Sequence, residues 1–361
     1  MYIFLVLVVL VVLFGIYVLN LPVFGGKLGG ERLKRIINLP NYNGKAIANL
    51  TITPSIAADA NYWTLILKML TGNENAAPKQ PLPHILSDFS SSEPLKITWF
   101  GHSSYLVQVD NKNILVDPVF SQRTSPFQFL GTKNFEGTDF IKPEDFPQLD
   151  IVLITHDHYD HLDYNTILKL KDKTRHFVTS LGVGAHLERW GVPSNCITEL
   201  AWGENYITNQ SLTFTATPAR HFSGRKFTRN QTLWSSFVLK TGQYTVYLGG
   251  DSGYDNHFKQ IGATYGPFDL AILECGQYNK MWPFIHMLPK EVVQACLDLN
   301  AKKLLPVHWG KYKLALHNWD EPIIEVVKSA QECDLDIITP KLGEAFTLKN
   351  ELPNKQWWLN L

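Results

Sequence analysis

With 361 residues, 45% of them hydrophobic, the chain is long enough for one large domain or two ordinary ones and too apolar to be disordered. Its 33 basic and 33 acidic residues cancel, so the overall field gives no reason to expect a nucleic-acid partner, and any anionic substrate must be met locally. The four cysteines, Cys196, Cys275, Cys296 and Cys333, form no Cys-x-x-Cys pair, which argues against a thiolate metal cage and a disulfide framework and is compatible with a reducing compartment.

Tyr2 to Leu19 is an uncharged run rich in Val and Leu, close to the length that crosses a hydrocarbon core as a helix. A basic n-region and a small-x-small cleavage site are both missing, so an uncleaved single-pass anchor fits better than a signal peptide. Lys27, Arg32, Lys34 and Arg35 follow the run and nothing basic precedes it, which predicts a cytoplasmic body by the positive-inside rule. Residues 1–24 are thus expected to be the transmembrane anchor, 25–94 a connector and outer layer, and 95–361 the working domain. Gly25-Gly26 and Gly29-Gly30 look like breaks after the anchor. Tyr62 to Leu70 suits a short amphipathic helix whose apolar face, Trp63, Leu65, Ile66, Met69 and Leu70, would pack on the core rather than lie on the membrane. No chemistry is expected between residues 25 and 94.

From Leu95 onward the chain reads as a meander. Leu95–Phe100, Tyr105–Val109 and Asn113–Asp117 are β-rich runs, with Asp110-Asn111 as a hairpin turn. Imperfect alternation between Tyr105 and Asp117 suits a sheet covered on both faces, which puts helices outside two sheets. A loop of about thirty residues then carries Phe120, Phe127, Phe129, Phe135, Phe140 and Phe146, and is expected to form an apolar substrate wall.

Next comes the densest cluster in the chain. The buried-strand pattern Asp150–Ile154 runs into Thr155-His156-Asp157-His158-Tyr159-Asp160-His161, with three imidazoles and a carboxylate in one turn. Nitrogen and oxygen donors of this kind suit zinc or its neighbours in a water-activating centre. A helix capped by Asp163 should follow, and a second around Leu187–Trp190.

Three later strands repeat the placement: Ser211–Thr217 leads to Arg220-His221, Tyr244–Leu248 to Asp251, and Lys303–Val307 to His308. Seven donors are enough for two metals. His156, His158 and His221 would hold one, Asp160, His161 and His308 the other, with Asp251 bridging and a shared water as nucleophile. Asp117 is a candidate carboxylate for orienting a ligand histidine. Arg220, Arg225, Lys226 and Arg229 surround His221 and are candidates for a phosphate head group.

The His-x-His-x-Asp-His run, His221, Asp251 in Gly-Asp-Ser-Gly-Tyr and His308 resemble the metallo-β-lactamase superfamily. Gly101-His102-Ser103-Ser104, Asp117-Pro118-Val119-Phe120, Gly266-Pro267-Phe268-Asp269 and Val307-His308-Trp309-Gly310 carry the likeness further, towards the phospholipases D that hydrolyse N-acyl-phosphatidylethanolamines. The resemblance covers about Leu95 to the C-terminus. It implies an α/β fold, a four-layer αββα sandwich, two Zn2+ ions on the seven donors, and a membrane phospholipid substrate cleaved to phosphatidic acid and an N-acylethanolamine. It also implies a further active-site histidine at His286, which would contact the substrate phosphate, with Asp160 and Asp251 as the carboxylates at the reacting centre. The N-terminal anchor departs from the family pattern. Related dinuclear enzymes open lactones with the same ligands, and a metal-binding scaffold without turnover is the reading from outside enzymology.

Overall fold

The computed structural model describes residues 1–71, 75–90, 94–209 and 212–361. Helix α1 (Tyr2–Leu19) leads, its side chains exposed or half-exposed all round, and is long and apolar enough to cross a membrane. Two short helices follow, α2 (Gly30–Ile37) and α3 (Tyr62–Thr71).

The body then builds one sheet from β1 (Leu95–Trp99), β2 (Tyr105–Val109), β3 (Lys112–Val116), β4 (Leu149–Ile154), β5 (Thr174–Ser180) and β6 (Ile197–Leu200). A second comprises β7 (Asn205–Ile207), β8 (Thr213–Thr217), β9 (Ser236–Lys240), β10 (Thr245–Leu248), β11 (Leu270–Glu274), β12 (Lys303–Val307) and β13 (Asp336–Ile337). The chain finally returns to the first sheet as β14 (Ala345–Thr347), so both sheets are 7-stranded, ordered β14-β1-β2-β3-β4-β5-β6 and β13-β12-β11-β10-β9-β8-β7. Each passes from antiparallel to parallel pairing, at β3–β4 in the first and β10–β11 in the second. Asp110 and Asn111 take φ of 50° and 60°, the left-handed pair that a two-residue hairpin needs.

Strand periodicity produces the layers. Along β4, Ile151 and Leu153 enter the core between the sheets, and Val152 and Ile154 enter an outer core under α4 (Tyr164–Leu170) and α5 (Gly184–Arg189). The other outer layer is α6 (His257–Tyr265), α7 (Pro289–Asp298) and α8 (Glu321–Glu332), which packs Phe258, Val292 and Val326 onto the second sheet. The fold is the expected αββα sandwich.

Three expectations change. Gly25 and Gly26 are close-packing points, since a Cβ on Gly25 would lie 2.0 Å from His186 Nδ1 and one on Gly26 1.9 Å from the Ala185 carbonyl oxygen. Four of the six loop phenylalanines serve the core instead of a substrate wall: Phe135 and Phe146 are buried, and Phe120 and Phe140 pack against buried clusters, while Phe129 is exposed. In α3, Trp63 faces solvent rather than the core and Leu65 lines a cleft described below; the side chains of Ile66, Met69 and Leu70 lie outside the described residues.

Candidate metal centre

Parallel strands end where an open α/β sheet gathers its chemistry, at the carboxyl rim. β4 runs out at Ile154, and the next turn is closed by Leu162 N donating to His158 O (2.8 Å) and His161 N to the same oxygen (3.1 Å). α4 then starts with Asp163 accepting from Asn165 N. This tight turn turns its donors inward, and the ends of β8, β10 and β12 bring His221, Asp251 and His308 to the same spot.

All seven expected donors converge. His156, His158, His221 and Asp251 form one group and His102, Asp160, His161 and His308 another, with ligand atoms within 4.8 Å of one another inside each group. Asp251 joins them: its Oδ2 lies 3.6 Å from His221 Nε2 and 3.9 Å from His156 Nε2, while Oδ1 lies 3.2 Å from His161 Nε2 and 3.3 Å from His308 Nε2.

These residues fit divalent cations. His158 Nδ1 sits 2.9 Å from His156 Nε2 and 3.2 Å from His221 Nε2, so lone pairs converge on one point. Buried His161 Nε2 and Asp251 Oδ1 have no hydrogen-bond partner among the described residues. The donor set is nitrogen and oxygen, as zinc and its neighbours prefer.

Burial, reinforced by neighbouring imidazoles, holds His156 well below the ordinary histidine range; it likewise lowers His221. Burial alone would raise Asp160 and Asp251, but the surrounding histidines outweigh it and keep both well below the carboxylate range. His161 goes the other way: burial lowers it, yet Asp251, Asp160 and Asp117 together push it well above. The buried carboxylates thus face rings held in opposite senses, His156 and His221 towards the neutral form and His161 towards the charged one.

Outer contacts fix the rings. Asp117 accepts from His161 Nδ1 (2.7 Å) as well as from Thr155 N (2.8 Å) and Thr155 Oγ1 (2.6 Å), which fulfils its expected orienting role. His221 Nδ1 donates to Ile285 O (2.8 Å). Asp117, His102 and His308 all have positive φ, at 40°, 51° and 68°, the kind of strained backbone that concentrates at functional sites.

A cleft of about 370 Å³ opens over this centre. Its apolar walls include Ile56, Leu65, Phe222, Trp282, Ile285 and Leu314; its polar floor includes His158, Asp160, Asp251, His286 and His308; Arg229 stands at its edge. His286 lines the cleft with Nδ1 3.4 Å from Glu274 Oε1.

Arg220 is a correction. Its guanidinium donates to Thr53 Oγ1, Tyr254 O and Ile52 O, so it braces the N-terminal segment and is not placed for substrate. Arg225 is likewise buried, donating to the carbonyls of Asp157, Leu162 and Val23. Of the basic cluster, Arg229 lines the cleft.

Three residues escaped sequence reasoning. His102 Nε2 lies 2.9 Å from Asp160 Oδ2, behind the donor set. Glu274 ends the apolar strand β11 just as other strands end on donors, a signal that could have found it. Asn49 accepts from His221 N (3.1 Å) and donates to His221 O (2.7 Å), so the segment expected to be inert holds a donor in place.

A family model described as "Beta-lactamase superfamily domain" matches residues 112–309, which contain all seven donors. An uncharacterised protein of Mycobacterium tuberculosis (strain ATCC 25618 / H37Rv) is 39% identical over 326 residues, covering 88% of this chain and 87% of that one. N-acyl-phosphatidylethanolamine-hydrolyzing phospholipase D 1 of Caenorhabditis elegans is 30% identical over 328 residues, covering 84% and 90%. Among solved structures, the metallo hydrolase Igni18 of Ignicoccus hospitalis overlays with a TM-score of 0.53 at 20% identity, over 70% of this chain and 97% of that one, a likeness of fold alone.

Proposed function

The chain belongs to the metallo-β-lactamase superfamily and is a metal-dependent hydrolase, and from that premise we propose that it is a membrane-anchored phosphodiesterase of the phospholipase D type acting on N-acyl-phosphatidylethanolamine phospholipids. The reading rests on one observation: Asp251 presents one oxygen to each of two donor groups at the floor of an apolar-walled cleft. His156, His158 and His221 would hold one zinc ion and Asp160, His161 and His308 a second, with Asp251 within reach of both groups. The chemistry such ions would supply when bound is a water acidic enough to ionise near neutrality and stabilisation of charge on a phosphoryl oxygen.

The chain's own groups do the rest. Asp117 and the Ile285 carbonyl hold His161 and His221 with Nε2 towards the centre. Glu274 faces His286 Nδ1, which leaves the other ring nitrogen for a substrate oxygen or the leaving alkoxide. Ile56, Leu65, Trp282 and Leu314 receive the acyl chain, and Arg229 meets the phosphate. The worm relative, named for hydrolysing this lipid class, supports phosphorus over a carbonyl as the electrophile. α1 crosses the bilayer and Lys27, Arg32, Lys34 and Arg35 keep the body cytoplasmic.

Full-length protein in detergent, offered an N-acylated phosphatidylethanolamine, a chromogenic diester and an acyl-homoserine lactone, tests the reading with His158→Ala as the blank. Release of phosphatidic acid that the variant lacks is the expected result. Lactone opening alone assigns the centre to the other chemistry, and bound metal without turnover makes the protein a scaffold. A reporter fused at Leu361 is expected to be active only on the cytoplasmic side; activity outside reverses the topology.

A further inference from the structure

The segment after α1 is not a loose tether. Arg189 donates to Asn20 O, Trp190 Nε1 to Pro22 O (2.7 Å) and Arg225 Nη2 to Val23 O (3.0 Å), while Gly25 and Gly26 pack directly against His186 and Ala185. Through Arg225 this exit is one residue removed from the donor turn, because Nη1 also donates to Asp157 O (2.9 Å) and Leu162 O (2.7 Å). One side chain thus ties the exit of α1 to the turn that carries the donors.

Around this docked exit the body exposes large apolar side chains. Phe127 packs edge-on against Phe24 (5.9 Å between centroids) and stacks on Phe129 (5.4 Å), and next to them Phe129 is 81% and Leu130 62% exposed. Two residues beyond Arg225, Phe227 is 89% exposed. Such residues lose solvation free energy in water that a lipid interface would return. Beside Phe227 stands positive charge: Lys226 adjoins it in sequence, Arg189 reaches Asn20 O at the exit, and Lys27 follows the Gly26 that packs on Ala185; partial burial and then the charges of Arg189 and Lys27 lower the Lys226 pKa accordingly. Apolar tips with a basic rim, continuous with the foot of an apolar helix, match an anionic bilayer surface in both chemistry and position.

We propose that Phe129, Leu130 and Phe227, with Lys27 and Lys226, form a second membrane contact that lies on the bilayer beside α1 and holds the cleft at a fixed attitude to the lipid surface. The proposal rests on the anchor reading of α1 and is independent of which bond the centre cleaves.

The test uses the full chain in phosphatidylcholine–phosphatidylglycerol vesicles containing a phospholipid with a diazirine in its acyl chain, followed by peptide mapping after photolysis. Labelling of peptides 123–133 and 223–230 is expected at about fivefold or more above the exposed control peptide 349–356, together with strong labelling of α1. The K27E/K226E double variant is expected to lower labelling at both patch peptides severalfold while that of α1 stays unchanged. Patch peptides at the control level, with α1 labelled, overturn the proposal and spare the anchor. Control-level labelling of α1 as well removes both.

Discussion

The two donor groups use the same residue types but sit in different surroundings. In the first group the hydrogen-bonding partners behind the rings are neutral, a threonine hydroxyl at His156 Nδ1 and a backbone carbonyl at His221 Nδ1. Behind Asp160, His161 and His308 they are ionisable: Asp117 on His161, His102 on Asp160, and Glu274 Oε2 3.8 Å from His308 Nδ1. A buried carboxylate behind an imidazole raises its basicity, so on the proposed reading the second group would hold a cation more tightly than the first.

The largest effect tests whether the groups act as a unit at all. Asp251→Ala removes the oxygens facing both, and kcat/KM is expected to fall by about 10³-fold or more, measured on whichever diester the wild type turns over. Retained activity would mean one group suffices. Asp117→Asn sharpens the contrast: affinity for one of two ions is expected to drop about 10–100-fold, by chelator competition with metal analysis, while the other is unchanged. Equal weakening of both would erase the distinction.

A smaller effect concerns pH. Burial, with the charge of His308, lowers the His102 pKa from 6.5 to about 3. Between those values the unfolded chain binds a proton that the folded chain refuses, so metal-free protein loses stability as pH falls through this window, by up to about 1.4 kcal/mol per pH unit from this group. His102→Gln is expected to flatten that part of the denaturation profile, and an unchanged slope counts against it. Smallest is Asn49→Ala, which removes hydrogen bonds to both backbone groups of His221 and is expected to cost about 1 kcal/mol in chemical denaturation, with the first ion weakened and the second not.

What sequence reasoning reached follows from distance along the chain. His156, His158, Asp160 and His161 share one turn, and the strand-then-donor rhythm led to His221, Asp251 and His308. His102 stood in a segment that carries the family likeness but was given no role, because it lies far from the donor turn in sequence, and Glu274 stands alone although it repeats the rhythm after Leu270–Leu273. Arg220 was misjudged because a run of basic residues does not tell where a guanidinium points; its partners Ile52 and Thr53 are far away in sequence. The same holds for Asn49, whose importance exists only once it has packed against His221, 172 residues away. In the fold, the β1–β3 meander was legible from period-two patterning and its Asp110-Asn111 turn. Short half-exposed β6, at the edge of its sheet, offered no such period.

His102 N donates to Trp309 O and His308 N to His102 O, each at 2.8 to 2.9 Å, so a loop of the first sheet and the end of a strand in the second close on each other at the centre. A ribosome delivers the His156 turn long before His308, and the first sheet still waits for Ala345–Thr347 to reach β1. During synthesis the nascent protein therefore carries a partial set of donors until His308 has emerged, and the first sheet is complete only after Ala345–Thr347 has paired with β1.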